Sequence, residues 1–267
     1  MTLKNPLNDN AYISPGTARV YLEGLMRKKA GQPTLPVLIS VPHAGCSVPR
    51  EVSDICILSR KEMAGSCDSG AEEIFFPLKA VVDAFVSTDI SRLIVDVNRP
   101  ESESGSDGAM RTHTGCMLPV YDRPVDPKTA GILIEKYYRS YYSRLAEASA
   151  RARMGLDCHT MSPPDNSKSR TASKICIGNG DGTTCPERWM EIMLICFVRA
   201  FDTDVSVNDP FSGGHIIRSM PGGIPWIQIE ISTDEWISNA RKSEALIQAL
   251  IDFYRTLRRA GLIAHGC

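Results

Sequence analysis

The stretch Met154-Gly-Leu-Asp-Cys158, which is followed at once by His159, says most about the fold of this 267-residue chain. A short apolar run of this kind predicts a buried strand. Its polar residues, Asp157 and His159, stand at the end of that strand. Open α/β sheets bind their ligands at the carboxyl ends of the strands. The segment therefore predicts both a sheet and a functional site at one edge of it.

Further short apolar runs alternate with longer amphipathic segments along the chain. The predicted strands are Val37–Val41, Leu93–Val97, Met154–Cys158, Ile175–Gly178, Asp204–Val207 and Trp226–Ile231. The predicted helices cover residues 71–85, 126–153, 186–201 and 244–262. This alternation predicts an α/β fold, a three-layer αβα sandwich with a mixed, mostly parallel sheet. We expect one domain over residues 1–267.

Two segments, 100–125 and 162–173, have no such periodicity and are rich in Gly, Ser, Asp, Pro or Thr. Long loops of this kind are often parts of active sites, and surface disorder is an equal alternative for the second one. The charge balance, 30 basic and 31 acidic residues, gives no basic field for nucleic acid or an anionic membrane. The polar N-terminus and the absence of a membrane-length apolar run lead us to expect a soluble, cytoplasmic protein. The sequence does not indicate an oligomeric state.

The nine cysteines include no CxxC pair. Cys158, Cys176 and Cys196 fall inside apolar runs, which predicts buried thiols in a reducing compartment.

Two of the five histidines, His43 and His159, end predicted strands. One such histidine is more often a core residue than a ligand, but two at equivalent positions favour a shared metal ion. Neutral imidazoles with one carboxylate suit Zn²⁺. Asp68, Asp96 and Asp157 are the candidate carboxylates, and there is no HExxH motif to select among them.

Glu230 and Arg99 are further candidates. Glu230 lies in an otherwise apolar strand and shares a face with Gln228. A buried carboxylate is costly unless it is paired, so Glu230 is either the partner of an arginine or a general base. Arg99 follows Asn98 at a strand end. It can hold a substrate carboxylate through two parallel hydrogen bonds, or it can pair internally with Asp96.

The sequence resembles the N-formylglutamate amidohydrolase family in six segments that occur in the family's order. They are VPHAG (41–45), Asp68, SRLIVDVNR (91–99), LDCHT (156–160), NDPFSGGHIIR (208–218) and QIEIS (228–232). The resemblance implies a phosphorylase/hydrolase-like fold related to those of zinc carboxypeptidases and aspartoacylase. It also implies metal-dependent hydrolysis of N-formylglutamate, with another N-acyl amino acid or a small peptide as the alternative substrate.

The resemblance assigns roles to individual residues. It implies Zn²⁺ or another divalent metal on His43, Asp68 and His159, catalysis by Glu230, and substrate binding by Asn98, Arg99, Arg92 and Arg218. The sequence leaves open whether Arg92 or Arg218 stabilises the oxyanion or binds a second carboxylate.

The chain departs from the related patterns at two positions. Cys46 stands where the carboxypeptidase-like pattern has an acidic ligand, and Thr160 replaces a serine. A thiol amidase that uses Cys158 or Cys46 is a rival interpretation, but strand neighbours such as Cys158 and His159 point to opposite faces. A non-catalytic metal-binding protein is a second rival, against which the combination of both strand-end histidines with Glu230 argues.

Overall fold

In a computed structural model of the protein, which describes residues 34–163, 173–220 and 223–263, six strands form one sheet. The strands in chain order are β1 (Leu35–Val41), β2 (Val82–Ser87), β3 (Ser104–Gly105), β4 (Met110–Arg111), β5 (Met154–Met161), β6 (Ile175–Gly178), β7 (Val205–Val207) and β8 (Trp226–Ser232). The short strands β3 and β4 pair with each other, and the remaining strands lie in the order β2-β1-β5-β8-β6-β7. The β6–β8 pair is antiparallel and the other pairs are parallel, which confirms the predicted mixed sheet.

Helices cover the sheet. They are α1 (Arg60–Ala64), α2 (Ala71–Phe75), α3 (Pro127–Leu133), α4 (Ser140–Ser149), α5 (Glu187–Phe201), α6 (His215–Ser219) and α7 (Asn239–Arg259). Helices α2 and α5 pack against α7, whereas α4 packs against β1 and β2. The three-layer α/β arrangement predicted from the sequence is therefore confirmed. The described residues belong to one compact unit that begins at Thr34, and a single domain over the whole chain stays a prediction.

Side-chain caps explain where helices α3 and α7 begin. The Asp126 side chain accepts hydrogen bonds from the Lys128 and Thr129 backbone, and Pro127 occupies the first turn of α3 as predicted. A π-helical turn, Ile134–Arg139, joins α3 to α4. Helix α7 begins before the predicted Glu244 because the Ser238 side chain caps it.

The predicted helix over residues 71–85 is wrong beyond its first part. Helix α2 ends at Phe75, a 3₁₀ turn covers Phe76–Ala80, and β2 follows. Pro77 lacks an N–H group and so cannot continue the pattern of helical hydrogen bonds. The residues after it pair with β1, where their branched side chains suit a pleated surface.

The predicted strand Leu93–Val97 is also wrong, although its side chains are buried as expected. The backbone turns there instead, with the N–H groups of Ile94 and Val95 donating to the carbonyl of Ser91. Strand β1 already pairs with β2 on one side and β5 on the other, so it has no free edge for a further strand. Apolar composition predicted the burial of this segment but not its backbone.

The cysteines follow the prediction in part. Cys158, Cys176 and Cys196 are buried and free, whereas Cys46 and Cys67 form a disulfide that their spacing did not predict. Within the described ranges, no helix has both the length and the apolar character needed to cross a bilayer. Most of the predicted loop 162–173 lies outside the described residues.

Candidate active site

The pairing of β1, β5 and β8 brings polar side chains to one edge of the sheet. Ser40 is in register with Asp157, Asp157 with Gln228, and His159 with Glu230. Residues two apart in a strand share a face, so these side chains lie together. The Ser40 hydroxyl donates to Asp157 at 2.8 Å across the β1–β5 pair. The edge predicted from strand endings is therefore a real cluster of polar groups.

Three residues at this edge converge on one point. Each of the three, His43, Asp68 and His159, offers one ligand atom, and these atoms lie within 4.8 Å of one another. One oxygen of Asp68 lies 3.1 Å from Nδ1 of His159, and the other lies 3.9 Å from Nδ1 of His43. Backbone hydrogen bonds hold Asp68 in place, because its N–H donates to the His43 carbonyl and its carboxylate accepts from the Thr160 N–H.

A buried carboxylate lies behind each histidine. Nε2 of His43 is 2.8 Å from Asp96, and Nε2 of His159 is 2.9 Å from Asp157. Ionised carboxylates only accept hydrogen bonds, so each Nε2 donates its hydrogen and each Nδ1 is turned toward Asp68. Metal-binding histidines are commonly oriented in this way.

The histidine nitrogens fit a bound cation. Nδ1 of His43 is buried and has no hydrogen-bond partner among the described residues. Burial, reinforced by the charge of Arg92, lowers the pKa of His43, so its ring is neutral and this nitrogen carries a lone pair. A buried polar atom without a partner is costly. A divalent cation between Nδ1 of His43, Asp68 and Nδ1 of His159 would remove that cost, and the donor set suits zinc.

The carboxylates of Asp96 and Asp68 remain charged. Burial would raise the pKa of Asp96, but His43 and two arginines hold it well below its usual value. Burial would also raise the pKa of Asp68, which the hydrogen bond from His159 and the charges of His159 and Arg92 instead lower. The centre therefore presents negative charge to a cation.

Glu230 lies beside His159 and is 6% exposed. Burial raises the pKa of Glu230 to about 7, with the negative charges of Asp68 and Asp157 adding to the effect. Its Oε1 accepts a hydrogen bond from Gln228 at 2.8 Å, and Gln228 in turn accepts from a backbone N–H. The hydrogen-bond partner found for Glu230 is thus an amide rather than an arginine. A carboxyl group with this pKa can take up and release a proton near neutral pH.

Asn98 is placed to position its neighbours. Its Oδ1 accepts from the Ile216 N–H at 2.8 Å, and its Nδ2 donates to Asp157 at 3.1 Å, close to Nε2 of His159. Gly214 packs directly on the Asn98 amide. A Cβ atom at position 214 would lie 2.5 Å from that amide, which is too close. The amide of Asn98 thus binds protein groups, and its contact with substrate stays a prediction.

The two arginines left open by the sequence lie in different surroundings. Arg92 donates to Asp96 at 3.1 Å and lies 3.8 Å from Asp68, so it borders the histidine cluster. Arg218 contacts Asp181 and Ser212 instead, neither of which belongs to that cluster. The structure brings Arg92 to the candidate metal centre and gives Arg218 other partners.

Sequence analysis missed two charged residues of the site. Arg111 donates to Asp96 at 2.8 Å, and Asp107 accepts from Arg99 at 3.0 Å. Both lie in the segment 100–125, whose sequence has no periodicity and so gives no signal for individual residues. A signal did exist for Ser40, a polar residue inside the apolar run of β1.

The cysteines proposed for a thiol amidase are poorly suited to the role. Burial raises the pKa of the Cys158 thiol well above its usual value, and the residue is fully buried. Cys46 is bonded to Cys67. Reactive cysteines are exposed enough to meet substrate and have a lowered pKa.

Comparisons with known proteins agree with this arrangement. The family model for N-formylglutamate amidohydrolase matches residues 35–237. The crystal structure of N-formylglutamate amidohydrolase from Ralstonia eutropha JMP134 is similar, with 20% identity, a TM-score of 0.67, and coverage of 87% of this chain and 95% of that one. A gene product from Agrobacterium tumefaciens matches with 19% identity, a TM-score of 0.64, and coverage of 85% and 90%. Among curated proteins, none matches the sequence.

At these identities the two solved structures show that the fold is shared, and the family model covers most of the chain. In class, the protein is an amidohydrolase, an enzyme with a small-molecule substrate. It belongs to the N-formylglutamate amidohydrolase family.

Proposed function

We propose that this enzyme hydrolyses the amide bond of an N-formyl or other N-acyl amino acid with the help of a divalent metal ion, zinc being the first candidate. Conversion of N-formylglutamate to glutamate and formate is the leading reaction, and family membership supports it. The observation that carries the proposal is the convergence of His43, Asp68 and His159 beside the buried carboxyl group of Glu230.

His43, Asp68 and His159 would hold the cation. When bound, it acts as a Lewis acid on the scissile carbonyl and activates water. Asp96 and Asp157 keep both imidazole rings turned with Nδ1 toward Asp68. Orientation by such partners typically matters about 10- to 100-fold in metal affinity or activity.

Glu230 would act as the general base. It takes a proton from the attacking water and delivers it to the nitrogen of the leaving amino acid. Its pKa of about 7 suits both transfers near neutral pH, and the hydrogen bond from Gln228 fixes the direction of the carboxyl group. Such proton transfer is worth on the order of 10²–10⁴-fold in rate.

Two arginines would handle negative charge on the substrate. The position of Arg92 beside Asp68 supports a role in stabilising the charge that develops on the carbonyl oxygen. Arg99 would bind a carboxylate of the amino acid, with Asn98 holding the neighbouring segment against β5. Binding energy from the carboxylate then orients the amide for attack.

The test joins metal analysis with release assays on one preparation. N-formyl-L-glutamate and a panel of N-acyl amino acids are offered to the protein before chelation, after chelation and after zinc is restored. We expect hydrolysis to disappear on chelation and return with the metal. A His113→Ala variant, which changes a half-buried histidine outside the His43, Asp68 and His159 cluster, is the matched control for metal content. Undiminished hydrolysis by the stripped protein would refute metal dependence, and no release from any of these substrates would refute the substrate class.

A further inference from the structure

Five charged side chains form a line that leads from the candidate metal centre to the surface. This charge ladder consists, in order, of Arg92, Asp96, Arg111, Asp107 and Arg99. Arg92 and Arg111 both donate to the same oxygen of Asp96, at 3.1 and 2.8 Å. Arg111 and Arg99 both contact the same oxygen of Asp107, at 3.3 and 3.0 Å.

The two carboxylates of the ladder differ sharply in exposure. The side chain of Asp96 is 0% exposed, whereas that of Asp107 is 75% exposed. A buried ion pair is hard to break because the remaining charge would be left without a partner. An exposed pair contributes little, so another anion can replace its carboxylate at small cost. Asp107 is therefore the exchangeable member of the ladder.

The guanidinium groups around Asp107 have hydrogen-bonding capacity that Asp107 does not use. The Arg111 side chain is 9% exposed, and Nε of both Arg111 and Arg99 is buried without a hydrogen-bond partner in the described part of the chain. Asp107 meets both arginines through a single oxygen. A carboxylate that is free to orient itself can use both of its oxygens, which is the stronger arrangement with arginine.

Charge balance also favours an anion at this point. Without Asp107, Arg99 would lose its ion pair and Arg111 would keep Asp96 alone as its carboxylate partner among the described residues. An incoming carboxylate would replace Asp107 charge for charge, so the exchange leaves the electrostatic balance near Asp96 and His43 unchanged.

We propose that Arg111 shares with Arg99 the binding of the substrate carboxylate assigned to Arg99 above, and that Asp107 occupies this site until the substrate displaces it. The inference rests on the proposed function, because it names where that substrate is bound. The α-carboxylate and a side-chain carboxylate share the chemistry, and the assays distinguish them.

The first test measures the affinity of glutarate, a dicarboxylate that has no amide to hydrolyse, by calorimetry on the metal-loaded protein. Asp107→Asn removes the competing charge, so glutarate should bind about two- to fivefold more tightly. Asp54→Asn is the matched control, since Asp54 is similarly exposed and pairs with the surface residue Arg123. Arg111→Lys keeps the positive charge that Asp96 needs but loses the planar fork, and it should weaken binding on the order of tenfold or more.

The second test compares KM values for N-formyl-L-glutamate, N-formyl-L-glutamine and N-formyl-L-isoglutamine. Asp107→Asn should lower KM for each substrate that carries the carboxylate bound here. If Asp107→Asn leaves KM for N-formyl-L-glutamine unchanged, the site binds the side-chain carboxylate. If it leaves KM for N-formyl-L-isoglutamine unchanged, the site binds the α-carboxylate.

The two proposals fail in different ways. The protein could hydrolyse none of the substrates and still bind glutarate with an affinity that depends on Asp107 and Arg111. That result would refute the proposed function and support the carboxylate site. The protein could instead hydrolyse the substrates while both substitutions leave the glutarate affinity and the KM values unchanged. That result would refute the carboxylate site alone.

Discussion

The half of the candidate site on β5 and β8 is built differently from the half on residues 89–111. In the first half, backbone pairing fixes Asp157, His159 and Glu230 in register. In the second half, which is irregular, side-chain ion pairs to Asp96 and Asp107 hold the arginines. Groups that must meet reacting atoms are more precise on regular elements, whereas a site for an anion tolerates a looser support. We therefore expect changes in the sheet half to act on metal and kcat, and changes at Arg99, Asp107 and Arg111 of the irregular half to act on KM.

The largest expected effect is loss of the metal. His159→Ala in the sheet half and His43→Ala next to β1 each remove one of three candidate ligands, so metal and hydrolysis should disappear together. Elemental analysis beside the release assay checks this. Full metal occupancy in both variants would exclude the assignment.

Glu230→Gln should be next in size. The amide keeps the shape of the side chain but cannot accept a proton, so kcat should fall on the order of 10²–10⁴-fold while zinc content and the melting curve stay unchanged. Glu244→Gln, the same change at an exposed position of α7, is the control. If Glu230 is only structural, the melting temperature falls and activity follows the folded fraction. Wild-type kcat in a stable, zinc-replete variant would defeat the proposed mechanism.

The raised pKa of Glu230 also predicts how the stability of the metal-free protein depends on pH. Folding raises the pKa of Glu230 from 4.5 to about 7, so the fold favours the protonated form. That contribution is complete below about pH 4.5 and is lost as the pH rises through about 7. The free energy of unfolding of the wild type should therefore fall, relative to that of Glu230→Gln, by roughly 3 kcal/mol over this range. Urea titrations with a chelator at several pH values measure it, and curves that stay parallel would contradict the burial argument.

The smallest expected effect concerns the irregular half. Arg99→Lys replaces a planar fork by a point charge, so KM for a substrate with a free carboxylate should rise on the order of tenfold with little change in kcat. Arg123→Lys makes the same substitution at a surface arginine that pairs with Asp54, and it should leave KM nearly unchanged. An unaltered KM in the Arg99 variant would remove this residue from the substrate pocket.

The same contrast explains how much of the molecule could be predicted from its sequence. Strands β5 and β8 follow from alternation and apolar composition, and with them the shared face of Gln228 and Glu230. The segment of Asp96 was assigned a strand it does not form, because burial was visible in the sequence and the free edge of a sheet was not.

Other parts of the site had no local signal. Only the family resemblance selected Asp68 from the three candidate carboxylates, since no periodic element carries it to the histidines. Arg111 and Asp107 went unnoticed because the segment that carries both has no periodicity, so their ion pair leaves no repeat in the sequence.

The carboxylates behind the histidines also govern an exchange between protons and metal. Burial would lower the pKa of His159, but Asp157 and Glu230 outweigh it and raise the value well above the ordinary one. Near neutral pH, the metal-free protein therefore carries a proton on His159 that an arriving cation must expel. His43 is already neutral and receives the cation without such a release. His43 can bind the cation as it is, whereas His159 must first lose a proton. Acidification should therefore release the metal by protonating His159.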